Sequence, residues 1–186
     1  MKIILGDTNQ DLYDFWKKDF DGIENVEVFH GNVFDLDFDA MVSPANSFGF
    51  MDGGIDLAIS ENFGWDIQNT LQTKLRTNRM GELLIGQAEI IETSHQKCKW
   101  IISAPTMRVP SRIIGTLNVY LASKAIFQIA KHNTNIQTLL IPGLGTGTGG
   151  ILPHICSKQM RQAYEDIFVG FNFPVTWRDV NHFEIL

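Results

Sequence analysis

The feature that most constrains the fold of this chain is a run of glycines between an apolar segment and a predicted helix. Five of the eight residues from 143 to 150 are glycine, with Thr146 and Thr148 among them. The preceding residues 138–141 have the composition of a buried strand, and a helix is predicted to begin near Pro153. Because so many glycines raise the entropic cost of folding, a loop whose backbone has a specific use is favoured over a simple surface turn.

The same succession of apolar segment, loop and helix recurs along the sequence, which indicates a layered α/β domain with a mixed, largely parallel sheet. Helices are predicted to begin at an N-cap at Thr8 and near Ile55, to occupy part of residues 65–80, and to begin again near Pro153. A further, long helix over residues 112–131 is predicted to bury Ile114, Leu117, Leu121, Ala125 and Ile129. Strands are predicted at residues 2–6, 26–29, 39–44, 86–91, 100–104, 138–141 and 175–177.

Composition and charge narrow the class of protein. The 186 residues have a formal net charge of -6, whereas sequence-independent binding of nucleic acid needs clustered Lys and Arg. The length predicts one domain over residues 1–186. The apolar run at residues 3–5 is too short for a signal peptide, and no segment approaches the roughly 18 apolar residues of a membrane span. The cysteines, Cys98 and Cys156, lack a metal-binding spacing, so we expect reduced thiols, a cytoplasmic location, and neither a cofactor nor a metal.

The glycine-rich segment, residues 143–150, is termed the second loop below, and its chemistry suits an anion. Glycine backbone can turn its N–H groups inward, and threonine hydroxyls add donors, so a diphosphate is the expected ligand and Gly147 is expected to adopt a positive φ. The loop also matches a dinucleotide fingerprint at Gly145, Gly147 and Gly150. That motif needs a later strand ending in an acid about 20 residues on, but Glu165 lies in a predicted helix, so a dehydrogenase is not favoured.

A first loop, residues 45–54, also follows a predicted strand and precedes a helix. Asn46 ends the strand segment, Gly53 and Gly54 open the helix, and Asp56 follows ten positions after Asn46. The two loops in this order, over about residues 26–170, resemble the macrodomain family, and the spacing is similar to that of its hydrolytic MacroD-like branch. The resemblance implies a three-layer α/β/α fold that binds ADP-ribose.

The resemblance also assigns roles to single residues. Asn32 takes the position of the family acid that binds the adenine amino group. Asp52 replaces a glycine of the family's glycine cluster, and Ser60 lies where hydrolytic relatives often have histidine. The ligand-binding residues implied by the resemblance and by the two loops are Asn32, Val33, Ala45, Gly53, Gly54, Ile55, Gly143, Gly145, Thr146, Gly147, Thr148 and Gly149.

Asn46 and Asp56 are the candidate catalytic residues. The Asn46 amide can donate and accept hydrogen bonds, which suits a ribose diol, although an asparagine here can also stabilise its own loop as an Asx turn. Asp56 is predicted in the first turn of a helix, where the dipole favours an ionised carboxylate. It would then act as a base on an attacking water, or serve only to stabilise the helix N-terminus. Trp177 or Phe183 is a candidate to stack on adenine.

Three functions compete at this point. The favoured one is an enzyme that removes ADP-ribose from a protein or phosphate from ADP-ribose-1″-phosphate. The second is a non-catalytic reader or sponge for ADP-ribose or a related signalling nucleotide, and the third is a nucleotide-binding protein outside the family. The expected partner is therefore ADP-ribose or an ADP-ribosylated substrate, and neither a membrane nor a nucleic acid.

Overall fold

The computed structural model describes residues 1–180, in which six strands form one sheet. The strands are β1 (Lys2–Asp7), β2 (Val26–His30), β3 (Ala40–Ser43), β4 (Glu89–Glu92), β5 (Trp100–Ser103) and β6 (Thr138–Ile141). Their order across the sheet is β2-β1-β6-β3-β5-β4. Every neighbouring pair is parallel except β4 with β5, which confirms the mixed, largely parallel sheet predicted from the sequence.

Helices cover both faces of the sheet and give a three-layer α/β/α fold. The helices are α1 (Gln10–Asp19), α2 (Gly54–Phe63), α3 (Asp66–Asn78), α4 (Asn118–His132), α5 (Pro153–Tyr164) and α6 (Trp177–Val180). A 3₁₀ turn (Val33–Asp35) follows β2, and a π-helical turn (Glu165–Val169) extends α5. Helices α1, α4 and α5 pack on one face of the sheet, and α2 and α3 pack on the other. None of the helices within residues 1–180 is both long and apolar enough to cross a membrane.

Each face of the sheet has its own apolar core, because alternate side chains of a strand lie on opposite faces. On one face, Ile3 and Leu5 of β1 belong to the same buried cluster as Trp16 of α1. On the other face, Ile4 of β1 belongs to a cluster with Ile59 of α2. The central strands are therefore apolar on both sides, as is typical of parallel sheets covered by helices.

Helix α1 begins one residue later than the sequence suggested, and the predicted N-cap at Thr8 is wrong. The N-cap is Asn9, whose Oδ1 accepts a hydrogen bond from the amide of Leu12 at 3.0 Å. The Asn9 amide in turn donates to Oδ1 of Asp7 at 2.9 Å. Asparagine caps a helix at least as well as threonine, and the carboxylate of Asp7 fixes the turn that makes Asn9 the cap.

The strand predicted at residues 86–91 is shorter and begins later, since β4 covers Glu89–Glu92. Gly86 has a φ of +89°, which is outside the range of a strand. The amide of Gln87 donates to the carbonyl of Leu84 at 2.9 Å, so residues 84–87 form a turn. The apolar composition of this segment concealed the turn that precedes the strand.

The long helix predicted from residue 112 begins only at Asn118. Gly115 has a φ of +77°, which interrupts a helix that would otherwise include the preceding residues. The predicted buried face is wrong at Ile114, which precedes α4, and at Leu121, which lies within it; both are exposed. The buried positions of α4 are Val119, Tyr120, Ala122, Ser123, Ala125, Ile126, Phe127 and Ala130.

The strand predicted at residues 175–177 is absent from the described part of the chain. Trp177 instead begins α6, and Asp179 stabilises the start of this helix. Oδ2 of Asp179 accepts hydrogen bonds from the amides of Val175 at 3.1 Å and Thr176 at 2.8 Å. This capping arrangement outweighs the strand preference of a valine and a tryptophan two positions apart.

Candidate ligand-binding site

The two glycine-rich loops meet at one edge of the sheet. The first loop follows β3 and the second follows β6, and these neighbouring strands are parallel, so both loops leave from the same edge. Between them lies a cleft of about 320 Å³, at the carboxyl ends of the strands, where open α/β sheets bind ligands. The cleft is lined by Pro44, Ala45, Asn46, Asp52, Gly53, Gly54, Ile55, Asp56, Thr106, Met107, Pro110, Gly143, Gly145, Gly147, Thr148 and Gly149.

The conformation of the second loop is fixed by its own turns and by β1. The amide of Gly143 donates to Oδ2 of Asp7, at the end of β1, with a separation of 3.0 Å. Gly145 and Gly150 have φ values of +67° and +68°, a left-handed conformation that glycine adopts without penalty. The amide of Gly150 also donates to the carbonyl of Gly147 at 3.0 Å. The loop is therefore a defined structure rather than a loose surface turn.

These turns leave the backbone amides of residues 144–149 without a hydrogen-bond partner within residues 1–180. A Cβ atom at Gly149 would lie 2.4 Å from the carbonyl oxygen of Gly145, so the loop is tightly packed there. Gly147, by contrast, has open space around its Cα and no positive φ. The prediction of a positive φ at Gly147 is wrong, because Gly145 and Gly150 form the left-handed turns.

The N-terminus of α2 lies at the same cleft. Gly53 is the N-cap and makes no side-chain capping hydrogen bond, and Gly54 and Ile55 begin the helix in the cleft wall. The first amides of a helix have no partner inside the helix, and they form the partially positive end of its dipole. Two sets of backbone donors, from α2 and from the second loop, thus converge on one cleft, which suits a phosphate or diphosphate.

Asn46 lines the cleft, but its side chain mainly stabilises the first loop. Its Nδ2 donates to the carbonyl of Phe50 at 2.8 Å, and its Oδ1 accepts from the amides of Phe48 at 3.1 Å and Phe50 at 3.3 Å. This is the loop-stabilising alternative considered from the sequence. The second hydrogen on Nδ2 is the part of the side-chain amide that remains available to a ligand.

Asp56 lines the cleft but is only 6% exposed. Ser43 Oγ donates to Asp56 Oδ1 at 2.6 Å. Burial raises the pKa of Asp56 from 3.8 to about 7; the Ser43 hydrogen bond lowers it, and the charge of Asp52 raises it. The prediction that the helix dipole keeps Asp56 fully ionised is therefore wrong, because desolvation outweighs the favourable contributions. A carboxyl group that titrates near neutral pH suits proton transfer.

The first loop is held against α2 and α3 from behind. The Met51 carbonyl accepts a hydrogen bond from Ser60 Oγ at 2.9 Å, and the Met51 amide donates to Gln68 Oε1 at 2.7 Å. A Cβ at Gly49 would lie 2.8 Å from Leu71, so glycine is needed for this close approach. Ser60 thus supports the loop and does not line the cleft.

Three predicted ligand-binding residues are outside the cleft lining. Asn32 is exposed and caps the 3₁₀ turn, where its Oδ1 accepts from the amide of Phe34 at 3.3 Å. Val33 is buried beneath Gly6, and Thr146 lies against Gly143 within the second loop. Because β2 and β1 are parallel, Asn32 and Val33 still lie at the same edge of the sheet as the cleft. Their role in ligand binding stays a prediction.

A segment after β5 contributes to the cleft and was missed by sequence reasoning. Thr106, Met107 and Pro110 line the cleft, and the Thr106 hydroxyl donates to the Pro44 carbonyl at 3.0 Å. The Asn118 side chain donates to the Thr106 carbonyl at 2.8 Å and so ties the segment to α4. The segment has no recognisable motif. Its place after a predicted parallel strand was the available signal, since such strands end at a shared edge.

Neither the phenylalanines of the first loop nor Trp177 is part of the cleft lining within residues 1–180. Phe48 packs against the Arg108 guanidinium at 5.1 Å, and Phe50 is exposed. Trp177, a candidate to stack on adenine, is exposed on α6. Phe183, the other candidate, lies outside the described residues.

The fold and the paired loops define a known class of protein. The family model of the macro domain matches residues 42–160. This chain belongs to the macro domain family. It is similar to an uncharacterized protein of Aquifex aeolicus, with 29% identity over 136 residues that cover 73% of this chain and 78% of the relative. A macro domain-containing protein of Caldanaerobacter subterraneus is 30% identical over 130 residues, which cover 68% of this chain and 71% of that protein.

Solved structures show the same fold. The macrodomain of Mycobacterium tuberculosis DarG matches with 23% identity and a TM-score of 0.60, over 73% of this chain and 87% of that chain. A mutant of the Oceanobacillus iheyensis macrodomain with ADPR matches with 18% identity and a TM-score of 0.62, over 81% of this chain and 85% of that chain. Thermosipho africanus DarTG in complex with ADP-ribose matches with 15% identity and a TM-score of 0.61, over 89% of this chain and 50% of that chain.

Proposed function

We propose that this protein binds ADP-ribose in the cleft between the two loops. The observation that carries the proposal is that two sets of backbone amides without a partner within residues 1–180 belong to residues that line one cleft. They are the amides of Gly145, Gly147, Thr148 and Gly149 and those that begin α2. Neutral backbone donors would allow a chain of net charge -6 to bind a diphosphate. Structures similar in fold contain ADP-ribose, which supports the same ligand here.

The strand order supports one orientation of the ligand. The second loop follows β6, which lies between β1 and β3. A diphosphate on this loop would leave one end of ADP-ribose beside Asn46 and Asp56, after β3, and the other end beside Asn32, after β2. We assign the distal ribose to the Asn46 side and the adenosine to the Asn32 side.

Titration calorimetry and thermal unfolding with ADP-ribose test this proposal directly. We expect a dissociation constant of micromolar order, with weaker binding of ATP and NAD. At a free ligand concentration 100 times the dissociation constant, the stabilisation would be about 2.7 kcal/mol, which corresponds to a rise of several degrees in Tm. No change in Tm at millimolar ADP-ribose would contradict the proposal.

A second candidate function, hydrolysis of an ADP-ribosyl linkage, is favoured by Asp56. Its carboxyl group lines the cleft and titrates at a pKa of about 7. In its ionised form it would accept a proton from a water that attacks the anomeric carbon of the distal ribose. The bond from that carbon to the acceptor group breaks, the ribose gains the hydroxyl, and the acceptor leaves with a proton.

An assay of turnover on an ADP-ribosylated protein distinguishes a hydrolase from a non-catalytic reader of ADP-ribose. We expect Asp56→Asn to lower turnover by about 10²- to 10⁴-fold, the usual effect of a lost general base, with a much smaller change in affinity for ADP-ribose. The wild-type rate should rise with pH through about 7, as Asp56 ionises. Tight ADP-ribose binding without turnover on any ADP-ribosyl substrate would instead identify a reader.

A further inference from the structure

We infer that Asp52 makes this site select against a phosphate group on the distal ribose, so that the substrate class is ADP-ribose joined to a group without negative charge. The inference rests on the proposed ADP-ribose binding and deepens it. Asp52 lies directly before the N-cap of α2 and lines the cleft at the end assigned to the distal ribose. Its side chain is exposed.

The charges around the cleft are distributed unevenly. Among the lining residues within residues 1–180, Asp52 and Asp56 alone have ionisable side chains. The charge of Asp52 is close enough to Asp56 to raise the pKa of the Asp56 carboxyl. A phosphate at this end of the cleft would therefore meet one full negative charge and one that appears as the pH rises through 7.

The cations near the cleft do not offset these charges. The Arg112 guanidinium lies against Gly150, where a Cβ atom would be 2.9 Å from its Nη2, and so it is at the second loop. Arg108 is engaged by Glu82 at 2.8 Å and packs on Phe48. Arg112 and the amides of the second loop thus lie on one side of the cleft, whereas both lining carboxyl groups lie on the side of the first loop and α2, to which the distal ribose is assigned.

Electrostatics gives the size of the expected effect. Two unit charges about 4 Å apart interact in water strongly enough to change an affinity roughly fivefold, and a phosphate has up to two charges. The α2 amides cannot offset this, because in the proposed complex they already bind the diphosphate. A neutral or cationic acceptor group meets no such repulsion.

Calorimetry with ADP-ribose and ADP-ribose-1″-phosphate tests the inference on the wild type and two variants. At low salt, we expect the wild type to prefer ADP-ribose by about fivefold or more. Asp52→Asn should reduce this preference by at least about threefold through tighter binding of the phosphorylated ligand. The gain for ADP-ribose should be smaller, since only its diphosphate lies near the α2 N-terminus. Glu61→Gln is the matched control, because it removes the same charge from an exposed position on α2 outside the cleft lining. It should keep the wild-type preference.

Three outcomes would overturn the inference but not the proposed function. Two of them are equal binding of the two ligands by the wild type and an unchanged preference in Asp52→Asn. A fall in preference as large in Glu61→Gln as in Asp52→Asn would also overturn it, since the effect would then be general charge. If the wild type binds neither ligand, the proposed function fails and the inference fails with it. If the wild type instead binds ADP-ribose and ADP-ribose-1″-phosphate equally well, the inference fails but the proposed function stands.

Discussion

At the scale of single residues, Asp56 shows a conflict between two electrostatic effects. Its position in the first turn of α2 favours the ionised carboxylate through the helix dipole. Its burial favours the protonated form, and burial has the larger effect, so the pKa rises to about 7. A buried acid that ionises near neutral pH lowers the stability of the fold. Strongly perturbed pKa values of this kind are concentrated at functional sites.

This residue makes the stability of the fold depend on pH. The unfolded Asp56 has a pKa of 3.8 and the folded one about 7, so the folded state binds the proton more tightly. The free energy of unfolding should therefore fall as the pH rises from about 4 to about 7, and this contribution should level off above 7. Asp56→Asn, which still offers Ser43 an acceptor, should lose this dependence and be more stable than the wild type at pH 8.

Urea unfolding at pH 5 and pH 8 provides the measurement. The free energy of unfolding should differ between pH 5 and pH 8 by less in Asp56→Asn than in the wild type. The reduction should be on the order of 1 to 3 kcal/mol. Glu61→Gln, an exposed acid on the same helix, is the control and should follow the wild type. If the free energy of unfolding of the wild type changed with pH as little as that of Asp56→Asn, burial would not raise the pKa of this carboxyl group.

At the scale of elements, the second loop combines positions that preserve its shape with a position that is free to contact a ligand. Gly149→Ala would bring a methyl group to 2.4 Å from the Gly145 carbonyl, so the loop must distort. Gly147→Val has open space and no positive φ, so the fold should tolerate it. We expect Gly149→Ala to lower both Tm and affinity, and Gly147→Val to lower ADP-ribose affinity by about tenfold or more with Tm nearly unchanged.

Calorimetry and thermal unfolding on the two variants distinguish distortion of the second loop from the loss of a direct contact with the ligand. The comparison matters because a loss of affinity in Gly149→Ala alone would follow from any damage to the loop. Wild-type affinity in Gly147→Val would mean that the second loop does not bind the diphosphate.

The elements also show what the sequence could and could not predict. Both loops, the strands before them and the helices after them were predicted, because glycine clusters and apolar runs are local signals. The errors arose where one residue decided the outcome: Asn9 in place of Thr8, Gly115 inside an apparent helix, and Asp179 at the start of α6. The raised pKa of Asp56 depends on burial, which a linear pattern does not contain.

At the scale of the whole molecule, the acidic composition and the proposed anionic ligand are compatible because the cleft lining offers backbone amides and does not depend on cationic side chains. The net charge is -6, yet the second loop and the α2 N-terminus offer amides whose dipoles need no Lys or Arg in the cleft lining. The composition therefore argues against a basic surface but does not by itself exclude a phosphate ligand. The segment after β5 completes the cleft only because β5 is parallel to β3, which is a property of the sheet as a whole.

The central position of β6 has a consequence for synthesis on the ribosome. This strand joins β1 on one side to β3 on the other, and no direct pairing connects the β2-β1 pair with the β3-β5-β4 group within the described sheet. Until residues 138–141 emerge, the nascent chain contains two unjoined half-sheets with open, apolar edges, which are prone to pair wrongly or aggregate. The contact between Asp7 and Gly143 spans 136 positions, so the cleft can form only after the last core strand has been inserted. The chain would then acquire ligand binding only at the end of folding and not in a partly folded state that lacks β6.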